Sequence, residues 1–423
     1  MSVSKLGVLA LAFTRRLGSP RAMMGVRVSS NTVSSGRTMN LTRSFIELSS
    51  LPRESSSAKL NHSYWEMRAM DRRLLLQLSL ASTLMGVAPR FAFADAVTRP
   101  KRLHPGDTIG LVAPASVTYE SLQLQIALET LDAMGLKVKV GPHVMDRFGY
   151  LSGEDEDRAS DINAAFADPE IDAVFALRGG WGASRILPFL DFDLIARNPK
   201  IFLGYSDITS LLNAIYNKTG VVTFHGPNVM SRWNDFTYQG MREVLFDAKS
   251  VTYSNPEIID DDLVARKHRI QTIHAGKAKG HLIGGNLTLM SALVGTPFFP
   301  DARGGILFLE DVGEAIYRVD RMMTQLKLSG VLDQVSGIVF GHFTGVEPNP
   351  GLGNFALMDI LRQHCEPLGV PCYFGAMIGH VEQQSTVPVG ARAMLNASLG
   401  TLALLEPAAV SYTHLTLPTT ASV

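Results

Sequence analysis

The chain is poor in cysteine and carries no excess of either charge. Its 423 residues include two cysteines, Cys365 and Cys372. That is too few for a disulfide framework or a cysteine-based zinc site, and the pair either bridges or stays as two buried thiols. Lys and Arg number 39, as do Asp and Glu, which excludes a nucleic-acid binder working through a basic surface. No Gly-x-Gly-x-x-Gly with an acidic residue about 20 positions on is present, and no Gly-Lys-Ser/Thr closes a phosphate loop, so nothing marks a nucleotide cofactor. No internal repeat is visible. The apolar stretch 74–88 is shorter than the roughly 20 residues a membrane-spanning helix needs, so no stable membrane insertion is expected. What is present is 46% hydrophobic and 18% charged, the composition of a globular chain.

That apolar stretch belongs to residues 70–94, which have the three parts of an export signal. Arg72 and Arg73 supply the positive end, and Ala92-Phe93-Ala94 a small-x-small cleavage site. The Arg-Arg pair before Leu74 resembles a twin-arginine signal and predicts a periplasmic protein, a cytoplasmic one being the alternative. Residues 1–69, Ser- and Arg-rich and without clear elements, read as an upstream mis-start or disordered leader; Glu47 and Glu54 count against a mitochondrial presequence. At the other end, 410–423 resemble a sequencing adapter translated in frame. Residues 95–409 remain as the expected folded protein, long enough for two domains.

From Thr108 the chain alternates strands and helices: 108–115, which begins as a strand and ends in a Pro-containing turn, a helix at 119–133, a strand at 136–140, a helix at 158–167, a strand at 171–177, a short helix at 183–190 and a strand from Ile201. This predicts an α/β first domain over 95–245 with a parallel sheet covered on both faces, whose functional loops lie at the carboxyl ends of the strands. Periodicity fades over 246–269, the expected crossover, where Asp260-Asp-Asp262 lacks the second ligand cluster that a metal site needs. Over 270–409, strands at 305–309, 337–340, 393–395 and 402–405 and helices at 288–294, 317–328 and 355–364 predict a β-rich α+β domain.

Three polar residues stand out, each at the end of an apolar segment. Ser206 follows Ile201-Phe-Leu-Gly204 and precedes a helix with Leu211, Leu212 and Ile215 on one face. A sharp strand-to-helix turn there resembles a nucleophile elbow, although Ile208 occupies the place of the second glycine. The plainer explanation is that Ser206 or Asp207 caps the helix. Glu310 follows Ile306-Leu-Phe-Leu309, with Asp311 and Glu314 beside it as candidate caps of the next helix. His380 follows Phe374-Gly-Ala-Met-Ile-Gly379, and a lone histidine there is more often structural than catalytic. Together they supply the nucleophile, carboxylate and base of acyl transfer. Gly179 and Gly180, after the strand 171–177, either bring N–H groups to a reacting oxygen or form a tight turn.

The ordered motifs Gly110-Leu-Val-Ala-Pro-Ala115, Arg178-Gly-Gly-Trp-Gly182, Leu203-Gly-Tyr-Ser-Asp207, His225-Gly-Pro227, Gly284-Gly-Asn-Leu287, Leu309-Glu-Asp-Val-Gly-Glu314, Tyr317-Arg-Val-Asp-Arg-Met322 and Gly379-His380 resemble the LD-carboxypeptidases. These serine peptidases are also called muramoyltetrapeptide carboxypeptidases and include microcin C immunity peptidases. The resemblance covers essentially all of 95–409. It implies a flavodoxin-like first domain, a β-rich second domain over 270–409 and a site in the cleft between them. Ser206 is then the nucleophile, His380 the general base and Glu310 its orienting partner. The oxyanion would be held by the backbone N–H groups of Asp207 and of Gly179 or Gly180. The implied substrate is the peptidoglycan tetrapeptide, which loses its terminal D-Ala, with neither metal nor cofactor. Peptide-nucleotide immunity and a non-catalytic muropeptide-binding module are the alternatives. Arg178, Trp181 and Asn286 are the expected substrate contacts, with Arg178, Arg185 and Arg232 equal candidates for the terminal carboxylate. A homodimer is left open.

Overall fold

The computed structural model describes residues 97–256, 263–264, 267–346 and 355–411. The expected export signal 70–94, the residues before it and the acidic run 260–262 lie outside those residues, as does the expected adapter-like tail 410–423 apart from Val410 and Ser411; Val410 N donates to Pro100 O at 2.9 Å. Among the described residues no helix is long and apolar enough to cross a membrane.

The first half alternates strand and helix: β1 (Thr108–Val112), α1 (Ser121–Ala133), β2 (Lys137–Val140), α2 (Asp155–Ala167), β3 (Ala173–Ala176), α3 (Phe192–Arg197), β4 (Ile201–Gly204), α4 (Thr209–Thr219), β5 (Thr223–His225) and α5 (Asp235–Leu245). The strands pair in parallel in the order β2-β1-β3-β4-β5. This is the flavodoxin-like order, which places the ligand crevice where the order reverses between β1 and β3. β3 and β4 are buried at every position, which explains why Ala-Val-Phe-Ala and Ile-Phe-Leu-Gly read as unbroken apolar runs. The segment Ala183–Phe189, expected as a helix, is a 3-10 turn with Pro188 inside it. Proline lacks the N–H that an α-helix would use there. Sequence periodicity did not show α5, which starts from Asn234, whose side chain accepts from Thr237 N at 3.0 Å.

The second half contains β6 (Thr252–Tyr253), β7 (Gln271–His274), β8 (Lys277–Asn286), α6 (Leu287–Leu293), β9 (Ile306–Val312), α7 (Ile316–Leu328), β10 (Gly337–Thr344), α8 (Leu357–Cys365), β11 (Cys372–Phe374), β12 (Val387–Val389), β13 (Arg392–Asn396) and β14 (Thr401–Leu404). Eight of these strands form a sheet in the order β6-β14-β13-β8-β9-β10-β11-β7. Its centre, β8 to β11, is parallel with a helix in each crossover, and antiparallel strands flank it. β12 leaves this sheet and pairs antiparallel with β5, with Val387 opposite His225, as the sixth strand of the first sheet. The halves are therefore joined by strand pairing as well as by the chain between α5 and β6. Cys365 and Cys372 are buried free thiols.

Side-chain parity on β9 places the site. Ile306 and Phe308 pack in the core shared with the first half, whereas Leu307 and Leu309 pack in a second core beneath α7 and α8. Successive strand residues face opposite sides, so Glu310 points toward the first half and Asp311 away from it. Asp311 accordingly accepts from Thr288 N at 3.0 Å and from Asn286 Nδ2 at 3.0 Å, at the start of α6.

Candidate active site

Ser206 sits between β4 and α4 with φ +63°, left-handed backbone in a residue that is not glycine. Such a conformation costs about 1–3 kcal/mol and persists only where its surroundings impose it. Here a Cβ on Gly179 would lie 2.9 Å from the Ser206 Cβ, so the loop after β3 approaches this closely only with glycine at 179. Neither Ser206 nor Asp207 caps the following helix: the 3-10 turn Ser206–Ile208 and α4 both start without a side-chain cap.

The Asp207 carboxylate turns to the loop instead and accepts from Ala183 N at 2.6 Å. Burial pushes Asp207 up to about 6, against the pull of that N–H and of Arg158. Because the folded value lies above the unfolded one, the folded protein holds a proton between about pH 4 and 6 that the unfolded chain has released. Stability contributed by this group therefore falls as pH rises through that window, by at most about 3 kcal/mol. Asp207→Asn should remove its share of the slope and be at least as stable as the parent at pH 7. Asp311, also pushed up to about 6 by burial and Glu310, keeps its own share. Urea unfolding from pH 4 to 7 checks this, and an unchanged slope contradicts it.

His380 approaches from the second half. Its Nε2 lies 3.0 Å from Ser206 Oγ, and its Nδ1 lies 2.8 Å from Glu310 Oε2. Gly379, at φ +98°, makes the approach possible, since a Cβ there would meet Glu310 Oε2 at 2.3 Å. Glu310 is fully buried and lies within β9 rather than after it. The three residues from distant parts of the chain thus form one hydrogen-bonded line. Asp311 and Glu314 do not cap α7, which starts without a side-chain cap. Glu314 pairs with Arg318 at 3.2 Å.

A cavity of about 400 Å³ opens over this line, with Arg178, Gly179, Gly180, Tyr205, Ser206 and His380 in its wall. Among the described residues no acceptor takes the N–H of Gly179, Gly180 or Asp207. Of the three arginine candidates, Arg185 pairs with Asp155 at 2.9 Å and Arg232 with Glu382 at 3.0 Å. Arg178 donates to Val117 O at 3.1 Å and is the one that lines the cavity. The other two expected contacts do not line this cavity. Trp181 is largely exposed and packs edge-on to Tyr150, while its backbone N–H donates to Ser116 Oγ at 2.9 Å. Asn286 is buried and caps α6, its Oδ1 accepting from Leu289 N while its Nδ2 donates to Asp311.

Sequence reasoning missed three neighbours. Tyr205 packs its ring 4.8 Å from that of His380, and Asn228 accepts from Tyr205 N at 3.2 Å. His225, noted only as part of His225-Gly-Pro227, is fully buried with its Nε2 3.9 Å from Glu310 Oε1. Burial lowers His225 to about 4, so its imidazole is neutral at neutral pH. Its signals were the apolar run Val221-Val-Thr-Phe224 before it and the motif His225-Gly-Pro227 itself, neither of which points to Glu310.

Residues 109–226 match the family model of the LD-carboxypeptidase N-terminal domain, and 279–395 match that of the C-terminal domain. A probable murein peptide carboxypeptidase of Bacillus subtilis is 39% identical over 305 residues, 71% of this chain and 92% of that protein. The chain belongs to the LD-carboxypeptidase family. Another relative in sequence is the microcin C7 self-immunity protein MccF of Escherichia coli, 30% identical over 330 residues, 71% of this chain and 94% of it. A muramoyltetrapeptide carboxypeptidase from Oxalobacter formigenes has a solved structure that superposes with a TM-score of 0.61 at 32% identity, covering 70% of this chain and 97% of its own. The family membership expected from the motifs therefore holds, and so does the pairing of a parallel α/β half with a second half built on a mixed sheet.

Proposed function

We propose that this member of the LD-carboxypeptidase family is a serine hydrolase that releases the terminal D-Ala of peptidoglycan tetrapeptides. The observation that carries this reading is the continuous line Ser206–His380–Glu310, with 3.0 Å and 2.8 Å contacts, at the mouth of a cavity. His380 takes the Ser206 proton as Oγ bonds to the scissile carbonyl carbon. The N–H groups of Asp207 and of Gly179 or Gly180 hold the oxyanion, each such donor contributing roughly 2.7–4 kcal/mol. Collapse forms a peptidyl ester on Ser206 and expels D-Ala, whose nitrogen receives the proton from His380. Water then attacks the ester, gives its proton to His380 and frees the tripeptide as Ser206 is reprotonated. Glu310 fixes the His380 tautomer and stabilises its charged form. His380 also lines a second cavity of about 590 Å³, room for the peptide on the other side of the scissile bond.

Arg178 is the proposed receiver of the terminal carboxylate, because it shares the cavity wall with Ser206 and, among the described residues, its guanidinium donates to a backbone carbonyl, Val117 O, rather than to a carboxylate. Arg178→Gln should raise KM for the tetrapeptide roughly 10- to 100-fold, the worth of a charge-assisted hydrogen bond. The same substitution should leave KM unchanged for a tetrapeptide with an amidated C-terminus, and equal loss on both substrates would remove Arg178 from this role. The export signal supports a periplasmic location, which sequencing the N-terminus of the exported protein checks: it should begin after Ala94. The function itself is tested by incubating the protein with a tetrapeptide muropeptide and measuring free D-Ala with and without a chelator. Chelator-resistant release supports the proposal. Binding without release favours a muropeptide-binding module, and release only from a peptide-nucleotide favours the immunity activity.

A further inference from the structure

We propose that His225 is a positioning residue that holds Glu310 from the side opposite His380, so that the carboxylate stands between two imidazoles. The inference rests on the roles proposed above for Ser206, His380 and Glu310. Glu310 is fully buried, and its Oε2 is taken by His380 Nδ1. Its Oε1 has no hydrogen-bond partner. Among the described residues the only other basic group within 4.0 Å of this carboxylate is His225, whose Nε2 is 3.9 Å from Oε1. Both ring nitrogens of His225 are themselves buried without partners. A buried carboxylate with a single donor is costly, and so is a buried imidazole with none. A modest closing of the 3.9 Å gap would give Glu310 Oε1 its donor and His225 Nε2 its acceptor at once.

The backbone makes His225 a central post of the site. In the strand register it stands opposite Gly204, two residues before Ser206, and opposite Val387, on the strand that follows the His380 loop. Its ring is fenced by Phe308 at 5.4 Å and Tyr205 at 6.1 Å, both edge-on. A Cβ on Gly285 would come within 3.0 Å of its Cδ2, so the backbone of β8 closes a third side. The titratable groups that face it are Glu310 and His380, with the Tyr205 ring beside them. Being neutral above about pH 5, His225 acts through an N–H dipole rather than a charge. It touches no substrate and transfers no proton.

Two variants read this role. His225→Phe removes the donor and keeps an aromatic ring; His225→Gln keeps an N–H near the place of Nε2. His225→Phe should lower kcat roughly 10- to 100-fold with little change in KM, the effect of losing one hydrogen bond to a charged group. A carboxylate stripped of a donor holds protons more tightly, so the acid limb of kcat/KM should also move to higher pH. His225→Gln should recover most of both. The labelling rate of Ser206 by a fluorophosphonate should follow the same order, independently of which peptide is the natural substrate. Wild-type kcat and pH profile in His225→Phe would overturn the proposal. So would a loss of activity with an unmoved acid limb and no recovery in His225→Gln, which marks packing alone. If the wild type labels at Ser206 and cleaves the tetrapeptide while His225→Phe matches it, only the inference about His225 falls. A wild type that does neither overturns the function and this inference together.

Discussion

Ser206→Ala is expected to cut kcat for D-Ala release by roughly 10⁵- to 10⁶-fold, with KM close to that of the parent. The size follows from what the hydroxyl does and from what its loss leaves intact. The proposed covalent step needs the Oγ that His380 Nε2 contacts at 3.0 Å, and among the described residues no other hydroxyl contacts that nitrogen. The residual rate, still above that in water, would come from the oxyanion donors and from binding. Stability should hardly change, because the Ser206 side chain caps no helix and the φ of +63° is equally strained for alanine. Kinetics on tetrapeptide beside a thermal melt separate the two effects. A variant that has lost activity by unfolding would show a lowered melting temperature.

Glu310→Gln is expected to lower kcat by roughly 10⁴-fold while binding persists. The side chain is fully buried and keeps its shape, so packing is preserved. What changes is the partner of His380 Nδ1, 2.8 Å away. An amide no longer enforces the tautomer that presents Nε2 as a base, and it offers no charge to stabilise the imidazolium. Because Asp311, the next residue, is pushed up partly by Glu310, the substitution should also let Asp311 ionise at lower pH. Activity measured across pH 5 to 9 should stay low at every pH. Recovery to near-parental rate at high pH would mean that the carboxylate only helps His380 to titrate.

Much of this site was legible in the sequence, and physical reasons explain why. β3 and β4 are sealed on both faces, so they appear as unbroken apolar runs, and the loops at their carboxyl ends had to hold the polar chemistry. Ser206, Glu310 and His380 stood out because each is a polar group delivered by apolar chain. The partners of the buried polar groups were not legible. Asn286 was expected at the substrate, and its part in capping the first turn of α6 went unread. Asp207 looked like a cap, but it reaches Ala183 across the sheet edge. β12 pairs with a strand more than 150 positions away, and no local pattern records such a partner. His225 was hidden for the same reason, since its only telling neighbour is 85 positions downstream. The strand parity that turns Glu310 toward the first half and His380 depends on β9 continuing through Val312, past the end of the apolar run.

The central claim is that Ser206 carries the peptide during turnover. Mixing the enzyme with tetrapeptide, quenching within a turnover and mapping the modified fragments by mass spectrometry tests it most directly. The account predicts the tripeptidyl mass, the substrate less D-Ala, as an ester on the fragment containing Ser206, appearing as D-Ala is released. D-Ala release that continues in Ser206→Ala, or an ester found on any other residue, would contradict it.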